Sequence, residues 1–242
     1  MKLTLLLLCL TLLIFACNDG DDFMSAENMN PTLTPTTDTI TYLALGDSYT
    51  IGTAVTPAER WPALLATALA EPDTNGQAYL TTPDIIATNG WTTRNLISGI
   101  NARDDLREVY DMVSLLIGVN NQYQGLPLAQ YRTEFEQLLN RAVALAGNDQ
   151  SKVFVVSIPD YAFTAFGNSN PDISEGVRQF NAACREITER YNIPFINITP
   201  ISQQGIDDPA LVASDNLHPS GEQYQRWVDE VIELRVRRIL AE

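Results

Sequence analysis

From residue 39 onward, short apolar runs alternate with amphipathic stretches. Five runs read as strands: ITYLAL (40–45), DIIAT (84–88), VSLLIG (113–118), VFVVSI (153–158) and IPFINI (193–198). Several are nearly continuous in Ile, Val and Leu, the pattern of strands covered on both faces. Between them, apolar residues recur at helical spacing. Trp61, Leu64, Leu65, Ala68 and Leu69 share a face of 59–70, and Tyr131, Phe135, Leu138, Leu139 and Ala142 share a face of 130–146. Ile173, Val177, Phe180, Cys184 and Ile187 do the same in ISEGVRQFNAACREITERY. A last helix is predicted after Ser220, which with Gln223 fits a capping box, and Tyr224, Trp227, Val228 and Val231 form its apolar stripe. This alternation implies one α/β domain over 39–242, a mostly parallel sheet with helices on both faces. In such sheets chemistry usually sits in the crevice at the carboxyl ends of the strands.

The N-terminal pattern is different. MKLTLLLLCLTLLIFAC holds one Lys2, an apolar run from Leu3 to Phe15, then Ala16-Cys17. The run is shorter than the roughly 20 residues of a spanning helix, so a signal peptide is expected over 1–16. Ile14-Phe15-Ala16-Cys17 resembles the lipobox of bacterial lipoproteins, with a bulkier Phe15 than is usual. That resemblance implies a lipidated Cys17 and a cell-envelope protein anchored to the outer membrane, periplasmic or surface-exposed; an ordinary secretory peptide is the alternative. Residues 17–38 are rich in Asp, Asn, Thr and Pro and read as a flexible tether. Their CNDGDD also resembles, loosely, acidic surface-export signals of Bacteroidetes; an acidic linker explains it equally.

Charge narrows the function. Thirty Asp+Glu against 15 Lys+Arg give a net charge of -15, which repels phosphate backbones and argues against nucleic acid as a partner. Of three cysteines, Cys9 leaves with the signal and Cys17 carries lipid, so Cys184 remains, an inert thiol on a buried helix face with no disulfide partner.

Polar residues follow the strands: Gly46-Asp47-Ser48 after the first, Asn89-Gly90 after the second, Gly118-Val119-Asn120-Asn121 after the third, and Asp215-Asn216-Leu217-His218-Pro219 before the last helix. A serine hydroxyl needs a base to become a nucleophile, and His218 is the one histidine in the chain. Asp215, three residues earlier, is near enough for a turn to aim its carboxylate at the imidazole. An oxyanion needs donors, and the candidates are the Ser48 and Gly90 N–H groups and the Asn120 amide. Gly90 is expected to allow close backbone approach. A single histidine argues against a zinc site, which needs several N or S ligands.

These segments resemble the SGNH/GDSL hydrolase family. GDSYTIG is similar to its first block, with Ser48 as nucleophile; NGWTTRNL to the second, with Gly90 as oxyanion donor; GVNN to the third, with Asn120 as oxyanion donor; and DNLHP to the last, with Asp215 and His218 completing the triad. One position departs: Asn121 stands where the family more often has Asp, which leaves the reaction class but puts local hydrogen bonding and substrate preference in question. LIGVNNQYQG and SIPDYAFTAFG resemble lysophospholipase-like members. The resemblance implies a flavodoxin-like three-layer α/β/α sandwich with a five-stranded parallel sheet, no metal and no organic cofactor.

Three functions stay open: a serine esterase for lysophospholipids or small acyl esters, a carbohydrate esterase that deacetylates polysaccharides, and a catalytically silent binding lipoprotein. The motifs describe chemistry rather than the pocket. Tyr161, Phe163 and Phe166, just past the fourth strand, are the candidate pocket wall.

Overall fold

The computed structural model describes residues 39–70 and 79–241. The expected signal peptide and the whole tether, Cys17 included, lie outside the described residues.

The strands are β1 (Thr39–Ile40), β2 (Tyr42–Gly46), β3 (Tyr79–Leu80), β4 (Asp84–Ala87), β5 (Met112–Leu116), β6 (Val153–Val156) and β7 (Phe195–Ile196). The helices are α1 (Ser48–Ile51), α2 (Trp61–Ala68), α3 (Thr93–Asn101), α4 (Val119–Tyr123), α5 (Leu128–Leu145), α6 (Pro171–Arg190), α7 (Thr199–Ser202), α8 (Gly221–Trp227) and α9 (Glu233–Ala241). Five strands form one parallel sheet in the order β4-β2-β5-β6-β7, and β1 pairs with β3 beside it.

The order explains the layers. The chain steps one way from β2 to β4 through α2, then crosses back to β5, β6 and β7 through α3, α5 and α6. Right-handed crossovers running in opposite directions put their helices on opposite faces. Accordingly α3, α5 and α6 pack together, while α2 packs against α8. β2, β5 and β6 are buried throughout, as their unbroken apolar runs require. Trp61 meets the edge of Phe154 on one side of the sheet (centroids 6.3 Å apart), and Tyr131 packs on Phe180 (4.7 Å) between α5 and α6.

Several expectations need correction. The run 193–198 yields only Phe195–Ile196 as strand, because it is an edge strand and Pro194 has no N–H to give; its carbonyl still accepts from Val155 N–H at 2.9 Å. Ile40 belongs to β1 rather than to β2. The capping box at Ser220 is half made: Ser220 Oγ accepts from Gln223 N–H at 3.2 Å, but the Gln223 amide donates to the Leu211 carbonyl at 2.9 Å. Residues Val228–Ile232 form a π turn, so Ile232 is fully buried and Val231 only partly. α3 and the single-turn α1, α4 and α7 had no apolar stripe long enough to announce them.

Candidate active site

Ser48, Gly90, Asn120 and His218 line one cavity of about 230 Å³ at the carboxyl edge of the sheet. β2, β4 and β5 are adjacent and parallel, so the segments leaving them emerge side by side. The fourth segment reaches the same place from the loop before α8.

The exit from β2 is tight. A Cβ at Gly46 would collide with the Thr50 side chain and lie 2.6 Å from the Leu116 carbonyl oxygen, so glycine is required by close approach. Asp47 caps α1, its Oδ1 accepting from Tyr49 N–H at 3.0 Å. It is fully buried and its Oδ2 has no partner among the described residues. Burial pushes its carboxyl up to about 7, against the Tyr49 N–H and the nearby Asn120 amide, which pull it down. Ser48, 4% exposed, is the first residue of α1 and faces the cavity.

His218 and Asp215 sit on a closed loop. Ala213 N–H donates to the His218 carbonyl (2.8 Å) and Ser220 N–H to the Leu211 carbonyl (2.9 Å), with a bridge between Val212 and Pro219. Asp215 Oδ2 lies 2.6 Å from His218 Nδ1, and Oδ1 accepts from the N–H groups of Leu217 (3.0 Å) and His218 (2.9 Å). Burial raises the Asp215 carboxyl, but these hydrogen bonds outweigh it and hold the group below the usual carboxylate range. Nδ1 is thus engaged and Nε2 is left for the cavity. Tyr49 packs against the imidazole, centroids 5.0 Å apart. No hydrogen bond joins Ser48 to His218 among the described residues; such contacts often tighten only when substrate is bound.

The three expected oxyanion donors share the cavity wall. The Ser48 and Gly90 N–H groups have no acceptor among the described residues. Asn120 Nδ2 gives a hydrogen to the Trp91 carbonyl at 3.1 Å, and the same amide lies near the Asp47 carboxyl. A Cβ at Gly90 would meet no protein atom within 4 Å, and its φ of +77° lies in the region that favours glycine.

Of the expected pocket wall, Tyr161 and Phe166 line the cavity, and Phe163 does not. Phe163 faces a separate groove with Ala162, Pro171 and Arg178. Tyr161–Phe163 is a 3₁₀ turn, where positions two apart point to different sides. The place expected for Phe163 is taken by Tyr123, which sequence reasoning missed. Its ring lies 6.2 Å from Tyr161 and 6.0 Å from Phe166, and it is 59% exposed. The available signal was spacing: Tyr123 is three residues past Asn120 and shares its face of α4. Phe166 N–H donates to the Asn216 carbonyl at 3.0 Å, tying this aromatic loop to the loop of His218.

Cys184 is buried on α6, and burial pushes its thiol up to about 12, so it stays protonated and unreactive.

The GDSL-like lipase/acylhydrolase family model matches residues 44–226, which takes in all these segments. The chain belongs to that family. Its members are serine ester hydrolases of the SGNH/GDSL type, and this chain is one. Solved structures similar to it include a lipase/acylhydrolase from Enterococcus faecalis (20% identity, 84% of this chain and 96% of that one, TM-score 0.63). Others are Axe2, an acetylxylan esterase from Geobacillus stearothermophilus (18%, 84% and 94%, 0.60), and the psychrotrophic esterase EstA from Pseudoalteromonas sp. (19%, 84% and 100%, 0.58). At these identities the likeness concerns the fold. None of the curated proteins matches the chain.

Proposed function

We propose that this family member cleaves carboxylic esters of short to medium acyl chains through an acyl-enzyme on Ser48. The observation that carries the reading is that the Ser48 and Gly90 N–H groups, which have no acceptor among the described residues, stand with the Asn120 amide on the wall of the cavity that also holds Ser48 and His218.

Ser48 Oγ attacks the ester carbonyl carbon while His218 Nε2 takes its proton. The carbonyl oxygen becomes an oxyanion held by the three donors, and Asp215 stabilises the imidazolium through Nδ1. Collapse breaks the bond to the alcohol oxygen, which leaves with the proton from Nε2. Water then gives a proton to Nε2 and attacks the acyl-enzyme, and a second tetrahedral intermediate releases the acid and restores Ser48. A fluorophosphonate tests this directly. It should label the wild type at Ser48, and Ser48→Ala should lose both labelling and turnover of p-nitrophenyl acetate. Labelling at another serine would overturn the assignment.

Tyr123, Tyr161 and Phe166 support an acyl ester as substrate, because their rings offer apolar surface beside the nucleophile. Each buried methylene contributes about 0.8 kcal/mol, so kcat/KM should rise roughly fourfold per carbon until the surface is covered. Tyr123→Ala and Phe166→Ala should move that optimum to shorter chains while sparing acetyl esters. The Axe2 likeness keeps acetylated sugars as the competing substrate. A flat chain-length profile beside strong activity on acetylated xylo-oligosaccharides would replace the acyl reading with that one.

The lipobox-like Ile14-Phe15-Ala16-Cys17 supports a lipid anchor that holds the enzyme at the bacterial outer membrane. Cys17→Ala should move the protein to the soluble fraction; unchanged membrane association would rule the anchor out.

A further inference from the structure

Behind the oxyanion donors lies a buried polar chain that the mechanism does not use. Asn121 and Thr93 are both 0% exposed and Glu134 is 9% exposed. Asn121 Oδ1 accepts from Thr93 N–H at 3.0 Å, and Asn121 Nδ2 donates to Thr93 Oγ1 at 2.7 Å. Thr93 Oγ1 in turn donates to Glu134 Oε2 at 2.5 Å. The other Glu134 oxygen accepts from Arg94 Nε (3.1 Å) and Nη2 (3.0 Å) and from Gln130 (3.0 Å).

A hydroxyl has one proton, so the direction of this chain is determined. Asn121 must donate to Thr93 because Thr93 spends its proton on the carboxylate. An Asp at this position would set a lone pair against a lone pair and place a second carboxylate on the same hydroxyl. The amide of Asn121 and the carboxylate of Glu134 are therefore chemically matched.

The chain also joins the two donor segments. Thr93 opens α3, three residues after Gly90, and Asn121 adjoins Asn120 on α4. A second bridge, from Asn120 Nδ2 to the Trp91 carbonyl, runs parallel to it. Glu134 fastens the pair to α5, the long helix packed against α3.

We propose that Asn121, Thr93 and Glu134 form a clasp that sets the spacing of the Gly90 and Asn120 donors, and that Asn121 and Glu134 are a coupled pair exchangeable only together. They are positioning residues, reaching the oxyanion through their neighbours, and the role rests on the ester-hydrolase reading of the site. The resemblance placed a carboxylate where Asn121 stands; the clasp accounts for its absence here by supplying the carboxylate from Glu134.

The test is a double-mutant cycle on the full chain, Asn121→Asp, Glu134→Gln and both together, reading kcat and KM for p-nitrophenyl acetate, the pH profile and Tm. Asn121→Asp should lower kcat at neutral pH by about tenfold to a hundredfold with KM little changed, approaching the loss of one donor. Its deficit relative to wild type at the same pH should shrink as pH falls, because one of two facing carboxyls then takes a proton. Glu134→Gln alone should cost less, since its amide oxygen can still accept from Thr93. In the double variant the chain reverses: the amide introduced by Glu134→Gln donates to Thr93, and Thr93 donates to the carboxylate introduced by Asn121→Asp. Its kcat should return to within about fivefold of wild type, far above the product of the single losses.

Wild-type kcat in Asn121→Asp, losses that simply multiply in the double variant, or a fall in Tm with kcat unchanged would each overturn the clasp. A wild type with no ester turnover would overturn the ester reading and the clasp with it, so the two failures are distinguishable.

Discussion

The base arm and the oxyanion arm of the proposed site, which meet at the cavity of Ser48, are built in opposite ways. On the base arm, Asp215 and His218 are three residues apart and are aimed by one self-closed loop. On the oxyanion arm, Asn121 and Thr93 are 28 residues apart and Thr93 and Glu134 are 41 apart, so aim comes from packed helices. The base arm is partly in solvent, with the His218 side chain 12% and the Asp215 side chain 33% exposed. On the oxyanion arm the polar chain of Asn121, Thr93 and Glu134 behind the donors is buried, while Gly90 itself is exposed and Asn120 partly buried. Donors gain most when they need no reorganisation at the moment charge develops, whereas a base must shuttle a proton both ways.

The largest effect should come from breaking the base arm without breaking its loop. In Asp215→Asn the side-chain oxygen can keep the Leu217 and His218 N–H groups while the amide donates to Nδ1, imposing the wrong tautomer. We expect kcat to fall by about 10³- to 10⁴-fold with Tm nearly unchanged. A loss below tenfold would mean that the loop, not the charge, matters.

Next comes the oxyanion arm itself. Asn120→Ala should cost about 10²- to 10³-fold in kcat, with KM steady because the donor acts on the transition state. An equal rise in KM would show that Asn120 binds the ground state instead.

Gly90→Ala sharpens the contrast between space and conformation. The added methyl meets nothing within 4 Å, so any effect comes from holding alanine at φ +77°. The strain is about 1–2 kcal/mol, to be read as a lower Tm with a smaller loss of kcat than in Asn120→Ala. An unchanged Tm would show that the segment relaxes freely.

A last effect, on stability rather than rate, concerns Asp47, which is fully buried beside Ser48. Its folded pKa, about 7, lies above the ordinary 3.8. A raised carboxyl pKa contributes stability that is complete below the unfolded pKa and is lost as pH rises through the folded one. Tm should therefore fall between about pH 4 and pH 7, and Asp47→Asn should flatten that slope. A slope unchanged in Asp47→Asn would assign it to other groups.

How much was legible follows the same division. The apolar runs at 40–45, 113–118 and 153–158 hold most of the buried strands β2, β5 and β6, and the stripe of Tyr131, Phe135, Leu138, Leu139 and Ala142 is buried throughout. Periodicity reports burial, so these elements could be read. α1, α4 and α7 are single turns and carry no period to read. Asp215 and His218 could be paired from spacing alone. Phe163 was misassigned and Tyr123 missed because a 3₁₀ turn and a one-turn helix decide which aromatic faces the cavity.

The sequence by itself determined the alternation of strands and helices, the placement of polar residues at strand ends, and a histidine with a carboxylate within turn reach. These are local properties, carried by residue type and short spacing. Tertiary structure alone decided that Ser48, Gly90, Asn120 and His218 share one cavity, that Tyr123 rather than Phe163 walls it, and that Glu134 answers Asn121. Those depend on strand order and helix packing, which bring residues dozens of positions apart within hydrogen-bond distance. A hydrogen bond has a direction, and only the folded chain shows which partner is left to accept it.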